Sequence, residues 1–292
     1  MTRAGWAESP DSLRDALEDV AYFADEGLAT ALFLATELGK PLLLEGEPGV
    51  GKTELARAFA ALSGRELVRL QCYEGLDAAQ ALYEWDYPRQ LLHLRAGEAT
   101  GATAASVYGP EFLLERPLLR ALRAPGGAVV LIDEIDRADP EFEAFLLEFL
   151  ADAQVTIPEL GTVSAAVPPV AILTSNRTRE LHDALKRRCL YHWIDFPDRE
   201  RERRIVAALA PGIDTEAASA LVDAVVAVRA LPLLKKPGIA ESVDWARGAA
   251  VLARRGDAWP AALRRSLGLL LKDQDDVERV AADADRLLGA AR

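Results

Sequence analysis

The chain has 292 residues, half of them hydrophobic and 27% charged, and its formal net charge is −12. This length suffices for one large domain or two smaller ones with sizeable cores. The acidic balance disfavours an extended nucleic-acid interface, which needs clustered positive charge, although an acidic protein can carry a local basic groove. No segment approaches the roughly 20 apolar residues of a membrane-spanning helix, and residues 1–10 lack the basic-then-apolar order of a secretory signal. We therefore expect a cytoplasmic protein without a membrane span.

The first two thirds of the sequence alternate compact apolar runs with helical patterns, which predicts a parallel sheet with helices on both faces. Strands that are buried on both faces are continuous apolar runs, and five such runs are residues 42–44, 67–72, 128–132, 170–174 and 190–194. The helices predicted between them are residues 13–38, 52–63, 113–123 and 141–151. Residues 97–106, rich in Gly, Ala and Thr, are predicted to form a mobile loop.

The pattern changes after Pro197. Helices are predicted at residues 200–210, 215–231, 241–255 and 275–291, and no further strand is predicted. We therefore divide the chain into an α/β domain of residues 1–199 and a smaller all-helical domain of residues 200–292.

The segment GEPGVGKT fits the phosphate-binding pattern G-x-x-x-x-G-K-S/T at every position. It follows a predicted strand and opens a predicted helix, which is the context that this motif requires and which disfavours a chance glycine-rich turn. Glycines let successive backbone N–H groups turn toward a phosphate, and the helix N-terminus adds its partial positive charge. Lys52 is predicted to reach the β- and γ-phosphates of ATP, and the Thr53 hydroxyl to bind Mg²⁺. The predicted nucleotide-binding residues of this loop are Gly46, Glu47, Pro48, Gly49, Val50, Gly51, Lys52 and Thr53.

Asp133 and Glu134 follow the predicted strand at residues 128–132. They lie at its C-terminal end, where open α/β sheets bind their ligands. Asp133 is predicted to bind the Mg²⁺ of the nucleotide, and Glu134 to orient and partly deprotonate the attacking water. An apolar run that ends in Asp-Glu is equally typical of a plain strand end, but behind a phosphate loop it indicates a catalytic site.

Asn176 comes just after the predicted strand at residues 170–174. It is predicted to hydrogen-bond the γ-phosphate or the lytic water, and the structural alternative is an Asn that favours a turn.

Three basic residues, Lys186, Arg187 and Arg188, precede the last predicted strand. Such a run is typical of a solvated helix end. Phosphoryl transfer, however, often uses an Arg from a neighbouring subunit, because a guanidinium forks onto phosphate oxygens and keeps its charge. We predict this role for at least one of Arg187 and Arg188, with Arg188 the stronger candidate.

Structural or incidental roles are expected for the cysteines and histidines. Cys72 and Cys189 are too few and too far apart for a disulfide framework or a zinc cluster. His93, His182 and His192 lack metal-site spacing.

In this order the motifs resemble those of AAA+ ATPases, in which a P-loop NTPase core is followed by a helical lid. More narrowly, the chain resembles the MoxR family and its CoxD-type branch, which is associated with maturation of carbon monoxide dehydrogenase. Residues 42–56 and 129–150 carry motifs shared by many AAA+ proteins, whereas residues 70–95 and 171–197 are more specific. The resemblance covers roughly residues 20–275.

The resemblance implies a homo-oligomeric ring, usually a hexamer, in which each ATP site is completed by the next subunit. It also implies a chaperone that works with a partner containing a von Willebrand factor A domain. Its client would be a metalloenzyme that receives a metal or cofactor, and for this branch a molybdenum hydroxylase. Residue by residue, the loop from Gly46 to Thr53 matches the Walker A motif, and Asp133 with Glu134 the Walker B motif. Asn176 matches sensor 1, and Arg188, with Arg187 beside it, the arginine finger.

One departure concerns the lid. Many relatives carry a lid arginine, called sensor 2, in a Gly-x-x-x-Arg setting, but here Gly238 is followed by Ser242 at the Arg position. Either Arg247, about one turn later, substitutes for it or the lid senses ATP differently. Sensor 2 is therefore left unassigned.

Two further segments have simpler expectations. The aromatic stretch of residues 83–87, with the loop after it, falls where MoxR proteins carry an extra element. It is predicted either to contact a client or partner at the ring face or pore, or to pack in the ordinary way. Core positions are predicted for Leu146, Leu147, Phe149 and Leu150.

The leading hypothesis is thus an ATP-hydrolysing chaperone ring for metalloenzyme maturation that uses ATP and Mg²⁺. The alternative from another class is a DNA-linked AAA+ motor or clamp-loader-like ATPase, which the acidic balance and the lack of a helix-turn-helix or basic tail disfavour. A nucleotide-binding scaffold that barely hydrolyses ATP is disfavoured by Glu134 and Arg188.

Overall fold

The computed structural model describes residues 7–97, 107–158 and 160–288. Apart from Gly97, the loop predicted at residues 97–106 lies outside these residues. The chain forms two compact units. The first contains the described residues up to Ala16, together with Asp25–Glu45 and Thr53–Trp193, and the second contains Leu17–Ala24, Gly46–Lys52 and the described residues from Ile194 onward. The division into domains 1–199 and 200–292 stays a prediction.

The strands lie in the first 194 residues. The described strands are β1 Leu42–Gly46, β2 Glu66–Gln71, β3 Tyr83–Trp85, β4 Leu113–Glu115, β5 Ala128–Asp133, β6 Gln154–Ile157, β7 Gly161–Ser164, β8 Val170–Ser175 and β9 Leu190–Ile194. No strand follows Ile194 within the described part of the chain, as predicted.

Eight α-helices precede Trp193 in the described residues, and seven follow it. The first set is α1 Pro10–Asp19, α2 Glu26–Leu38, α3 Lys52–Ser63, α4 Ala78–Leu82, α5 Tyr87–Gly97, α6 Pro117–Arg123, α7 Pro140–Asp152 and α8 Asp183–Lys186. The second set is α9 Arg199–Leu209, α10 Thr215–Arg229, α11 Ile239–Ala253, α12 Trp259–Arg265, α13 Leu267–Leu270, α14 Gln274–Ala282 and α15 Ala284–Leu288. None of the described helices is long and apolar enough to cross a membrane.

Five strands form the central sheet in the order β2-β5-β8-β1-β9. The pairings β2 with β5, β5 with β8 and β8 with β1 are all parallel. Every residue of β1, β5 and β8 is buried, as expected for strands that are covered on both faces. The predicted α/β fold with a parallel sheet is therefore confirmed. Its five predicted strands are present with shifts of one or two residues at their ends.

The main core of the first unit lies between this sheet and its helices. Leu43, Val130 and Leu173 contribute to it from the three central strands. From α7, Leu146 and Phe149 are buried in the same core, and Leu147 and Leu150 are partly buried against it. The prediction that these four residues belong to the core is confirmed.

Two helix predictions were wrong in detail, and one pair of strands was not predicted. The helix predicted at residues 13–38 is two helices, because Ala21 has φ 60° and Asp25 caps α2 by accepting a hydrogen bond from the Leu28 amide. The helix predicted at residues 113–123 begins only at Pro117, because β4 pairs with β3 in an antiparallel ribbon. The ribbon of β6 and β7 was not predicted.

In the aromatic stretch of residues 83–87, some side chains are packed in the core and others are exposed. Trp85 is buried and meets Tyr83 and Tyr108 edge to face, with ring centroids 6.0 and 5.3 Å apart. Tyr87, at the start of α5, is 60% exposed. Packing thus accounts for Trp85, whereas Tyr87 is the aromatic side chain of residues 83–87 that is exposed.

The second unit has its own helical core. Trp245 of α11 is fully buried there, and its Nε1 donates a hydrogen bond to the Leu263 carbonyl at 2.9 Å. The helix predicted at residues 275–291 ends at Ala282 and resumes at Ala284, because Asp283 has a non-helical backbone. Helices α12 and α13 were not predicted.

Candidate active site

The loop between β1 and α3 has a conformation that only its glycines allow. Gly49 and Gly51 have φ values of 80° and 94°, in the region that residues with a Cβ rarely adopt. A Cβ at Gly46 would collide with the Ile194 carbonyl oxygen. The three glycines of the predicted motif are therefore required by the backbone itself.

Lys52 is the first residue of α3 and is 6% exposed. Its Nζ donates hydrogen bonds to the carbonyl oxygens of Gly46 and Glu47, at 2.7 and 2.8 Å. The loop thus bends around the ammonium group of its own lysine. A positive charge at the N-terminus of a helix, within a glycine loop, is suited to binding phosphate.

Asp133 ends β5 and is 2% exposed. Its Oδ1 accepts hydrogen bonds from the hydroxyls of Thr53 and Thr174, at 3.0 and 2.6 Å. Its Oδ2 accepts two from the Arg69 guanidinium, from Nε at 3.1 Å and from Nη2 at 2.6 Å. The register of β2, β5 and β8 brings these residues from three neighbouring strands and α3 to one edge of the sheet.

Glu134 has φ 55° and ψ 50°, a left-handed conformation that is uncommon for a residue with a Cβ. Its amide donates a hydrogen bond to the Thr174 hydroxyl at 2.9 Å, and the same hydroxyl donates to Asp133. Its carboxylate is one third exposed and lies 3.4 Å from Arg137 Nη1. Strained residues of this kind cluster at functional sites.

Asn176 follows β8 and is half-buried. The loop that carries it is fixed by Asp136, a buried carboxylate of the segment after β5. The carboxylate of Asp136 accepts a hydrogen bond from the backbone amide of Asn176 at 3.3 Å. It also accepts hydrogen bonds from the backbone amide and the hydroxyl of Thr178, at 2.8 and 2.7 Å. Since β8 lies beside β5, the structure brings Asn176 to the same edge of the sheet as Asp133 and Glu134.

The two arginines of the basic run lie elsewhere in the first unit. Arg187 caps the C-terminus of α8 and is exposed, and Arg188 is exposed with Nη1 3.4 Å from the Leu147 carbonyl. Among the described residues, no contact joins either guanidinium to Asp133, Glu134 or Asn176. Both arginines are thus placed on the surface.

Ser242 and Arg247, the two residues considered for the sensor 2 role, both bond to other residues of the second unit. Ser242 is completely buried and hydrogen-bonds Glu202 at 2.9 Å. Arg247 donates to the Leu209 carbonyl from Nε at 2.9 Å and from Nη2 at 2.6 Å.

Neither cysteine has the character of a reactive thiolate. Burial, with smaller contributions from Asp133 and Asp136, raises the pKa of Cys72 to about 12. Burial alone raises the pKa of Cys189 to about 12. The described residues contain no group of three or more His, Cys, Asp or Glu side chains that could hold a metal ion. The raised pKa values disfavour a thiolate role for Cys72 and Cys189, and the structural or incidental roles expected for them stay a prediction.

Sequence reasoning missed Arg69, Thr174 and Asp136. A signal existed for Arg69, which is a charged residue within the apolar run of β2. Thr174 lies in the predicted strand at residues 170–174, and Asp136 lies in the segment of residues 129–150 that resembles AAA+ proteins. Their partners are about 40 residues away along the chain, so only the folded sheet shows what they contact.

The residues present fit a magnesium nucleotide. Mg²⁺ prefers oxygen ligands, takes few of them from the protein and leaves the rest to water and phosphates. The Thr53 hydroxyl and the Asp133 carboxylate, 3.0 Å apart, form such a small oxygen set. Lys52, the residue before Thr53, is held in the glycine loop by hydrogen bonds to the carbonyl oxygens of Gly46 and Glu47.

Comparisons with known proteins show the family to which the chain belongs. The AAA domain family (dynein-related subfamily) matches residues 41–189, more than half of the chain. The chain is 27% identical over 271 residues to protein NorQ of Paracoccus denitrificans (strain Pd 1222), which covers 89% of this chain and 91% of NorQ. It is 28% identical over 184 residues to an uncharacterised protein of Staphylococcus aureus (strain bovine RF122 / ET3-1), covering 61% of this chain and 63% of that protein.

A solved structure shows the same fold. A mutant of RuvB from Thermotoga maritima superposes with a TM-score of 0.53 at 18% identity, covering 92% of this chain and 75% of the RuvB chain. The chain therefore belongs to the AAA family, in its dynein-related subfamily, and is an AAA+ ATPase of the MoxR type that its motifs resemble.

Proposed function

We propose that this chain binds Mg·ATP at the glycine loop and hydrolyses it with Glu134 as the base, in a ring-forming chaperone of the MoxR type. The observation that carries the proposal is the set of contacts around Asp133. The Thr53 hydroxyl donates directly to the buried carboxylate of Asp133. The strained residue Glu134 is connected to the same carboxylate through the Thr174 hydroxyl, which accepts from the Glu134 amide and donates to Asp133. A plain strand end does not need this arrangement.

Each residue then has a separate task. Lys52 and the loop amides bind the phosphates, while Thr53 and Asp133 hold the metal. Glu134 orients the attacking water and accepts its proton. Asn176, which follows the neighbouring strand β8, hydrogen-bonds the γ-phosphate or the attacking water. Bound Mg·ATP supplies the phosphoanhydride bond and the Lewis acid that polarises it.

The client proposal rests on resemblance. Similarity to NorQ runs along almost the whole chain, and the segments at residues 70–95 and 171–197 resemble the CoxD-type branch. We infer a cytoplasmic hexameric ring that acts with a von Willebrand factor A domain partner. Its client would be a molybdenum hydroxylase such as carbon monoxide dehydrogenase, which it helps to acquire its metal centre.

Phosphate release tests the ATPase. Lys52→Ala is expected to abolish detectable ATP binding, and Asp133→Asn to impair the Mg²⁺-dependent steps. Glu134→Gln should still bind Mg·ATP but lose on the order of 10²-fold or more in turnover, as expected for a general base. Glu141→Gln, an exposed carboxylate at the start of α7, is the matched control and should hydrolyse ATP normally. Wild-type turnover by Glu134→Gln would show that another group activates the water.

A co-expression experiment tests the client. A molybdenum hydroxylase of the carbon monoxide dehydrogenase type is produced with the von Willebrand partner and either the wild-type chain or Glu134→Gln. We expect full metal content and activity of the hydroxylase only with the wild type. Equal metal loading with both would remove the maturation role. Strong stimulation of ATP hydrolysis by DNA, weakening with salt, would instead favour a DNA-linked motor.

A further inference from the structure

The segment between α10 and α11, residues 230–238, is fixed along its length by buried polar side chains. Asp276 of α14 is 2% exposed and accepts hydrogen bonds from the amides of Leu234 and Lys235, both at 3.0 Å. Further along, the Pro237 carbonyl accepts a hydrogen bond from Arg229 Nε at 2.8 Å. The segment is therefore held in one conformation although it contains no regular secondary structure.

Arg229, Glu202 and Ser242 form a buried cluster beneath the end of this segment. Arg229 donates from both terminal nitrogens to Glu202, at 2.6 and 2.8 Å, and Glu202 is fully buried. The Ser242 hydroxyl lies 2.9 Å from Glu202 Oε1, 3.2 Å from Arg229 Nη2 and 3.1 Å from the Gly238 carbonyl. The Arg229 guanidinium also lies 4.4 Å from the centroid of the Phe196 ring. A fully bonded buried network of this kind is rigid.

The cluster holds Gly238 directly against the phosphate loop. The Ile239 amide donates a hydrogen bond to the Gly49 carbonyl at 2.8 Å. A Cβ added to Gly238 would lie 2.7 Å from the Gly49 Cα, and a Cβ on Gly49 would lie 2.8 Å from the Gly238 Cα. All of these residues belong to the second unit. The two backbones meet without any side chain between them, which only two glycines permit.

We propose that Arg229, Glu202 and Ser242 are positioning residues that set the conformation of the phosphate loop through Gly238 and Gly49. In this chain they replace an arginine that would reach the nucleotide from the sensor 2 position. Ser242 occupies that position but is fully buried in the cluster, and Arg247 is engaged with the Leu209 carbonyl. The start of α11 thus acts on ATP through the loop backbone. This inference rests on the proposed ATP-binding function and adds to it the element that controls affinity.

Substitution of the contact glycine tests the proposal. Gly238→Ala is expected to raise the Kd for a fluorescent ATP analogue about tenfold or more, the equivalent of about 1.4 kcal/mol. The KM for ATP should rise by a similar factor, while kcat at saturating ATP should fall by less. The matched control is Gly268→Ala in α13, where an added Cβ would meet no atom within 4 Å. This control should bind ATP within about twofold of wild type, which is within the effect of a surface substitution.

A second variant acts on the cluster without touching the loop. Ser242→Ala removes the hydroxyl that joins Glu202 to Gly238, and is expected to weaken ATP binding about threefold, in line with the loss of one hydrogen bond. Thermal melts show whether each variant is folded. A folded Gly238→Ala protein with wild-type affinity would overturn the proposal while leaving ATP binding itself intact.

Hydrogen exchange in the wild-type chain keeps the proposal testable if Gly238→Ala does not fold. Because the Ile239 amide is bonded to Gly49, a bound non-hydrolysable ATP analogue should slow the exchange of that amide, and Lys52→Ala should show no slowing. An exchange rate of Ile239 that the analogue leaves unchanged in the wild type would overturn the proposal. Failure of the wild-type chain to bind ATP would overturn the proposed function, and this inference with it.

Discussion

The carboxylate of Asp133 accepts four described hydrogen bonds, two of them from the guanidinium of Arg69. Arg69 is 45% exposed, whereas the carboxylate of Asp133 is almost fully buried. The loss of a cationic partner from a buried carboxylate is destabilising, because the charge that remains is poorly solvated. Arg69 therefore stabilises the nucleotide-free site by holding the charge that a metal ion would otherwise balance.

Arg69→Ala should lower the melting temperature when Mg²⁺ is absent. The loss should be about 1–3 kcal/mol, between the values for exposed and buried ion pairs, or several degrees for a chain of this size. Millimolar Mg²⁺ should restore part of it, since a dication at Asp133 replaces the missing charge. The matched control is Arg120→Ala, which removes an exposed ion pair with Glu66, the first residue of the same strand β2, and should change stability by at most about 1 kcal/mol. An Arg69→Ala chain that melts like wild type in chelator would contradict this account.

The sequence predicted Lys52, Thr53, Asp133, Glu134 and Asn176 because each belongs to a motif with fixed local spacing. It could not predict what holds them. Thr174, Asp136 and Arg69 reach Glu134, Asn176 and Asp133 across strands that lie 40 to 64 residues apart along the chain. Such contacts depend on which strands are neighbours and in which register, and no local pattern contains that information. The burial of Ser242 was equally invisible, because a serine at a helix start is ordinary.

At the scale of elements, long strands buried on both faces were predictable and short, partly buried ones were not. The strands β1, β5 and β8 are continuous apolar runs that no other element explains as well. The three-residue strands β3 and β4 exist only because they pair with each other, about 30 residues apart along the chain. Their sequences, Tyr83–Trp85 and Leu113–Glu115, carry no period long enough to distinguish a strand from a helix.

Helix α7 offers a matched test of its core assignment. Leu146 is fully buried, whereas its neighbour Leu147 is only partly so. Leu146→Ala should cost about 2–5 kcal/mol of unfolding free energy, through lost transfer energy and a cavity. Leu147→Ala should cost about 1 kcal/mol, since part of its surface is already in water. Urea denaturation of both variants measures the difference. Equal losses would mean that α7 does not present Leu146 to the core.

For the whole molecule, the exposed arginines after α8 suggest how an active site is completed. Arg187 and Arg188 lie on the surface of the first unit, without a described contact to the carboxylates of the same chain. If subunits pack head to tail, which is the contact that closes into a ring, Arg188 could reach the nucleotide of a neighbour. The hexamer and this shared site are both predictions from the family resemblance.

Mixing two inactive variants tests the shared site. Arg188→Ala should lose on the order of 10³–10⁵ in rate, as for other arginines that act in trans, but it keeps its own Lys52. Lys52→Ala cannot bind ATP but keeps its own Arg188. Mixed rings should therefore recover activity at interfaces where an intact Lys52 faces an intact Arg188, and activity should rise with protein concentration as rings form.

This experiment needs two controls, which are a variant of the adjacent Arg187 and a measurement of ring assembly. Arg187→Ala, treated in the same way, shows whether the adjacent residue contributes. Cross-linking or mass photometry must show that mixed rings form. Mixed rings as inactive as their parents would make the assignment of Arg188 wrong, and full turnover by Arg188→Ala alone would make the basic run a solvated helix end.

The hydrogen bond between Ile239 and Gly49 has a consequence for biosynthesis. Because the donor lies 190 residues after the acceptor (239 − 49), a ribosome translating about 5–20 residues per second makes the glycine loop roughly 10–40 s before its support exists. The central strands β1, β5 and β8 and the Ile194 carbonyl beside Gly46 are made within that time, but the start of α11 follows Ile194 only after 45 more residues (239 − 194). A nascent chain therefore cannot hold the loop in its final shape, and productive capture of ATP is delayed until synthesis is nearly finished.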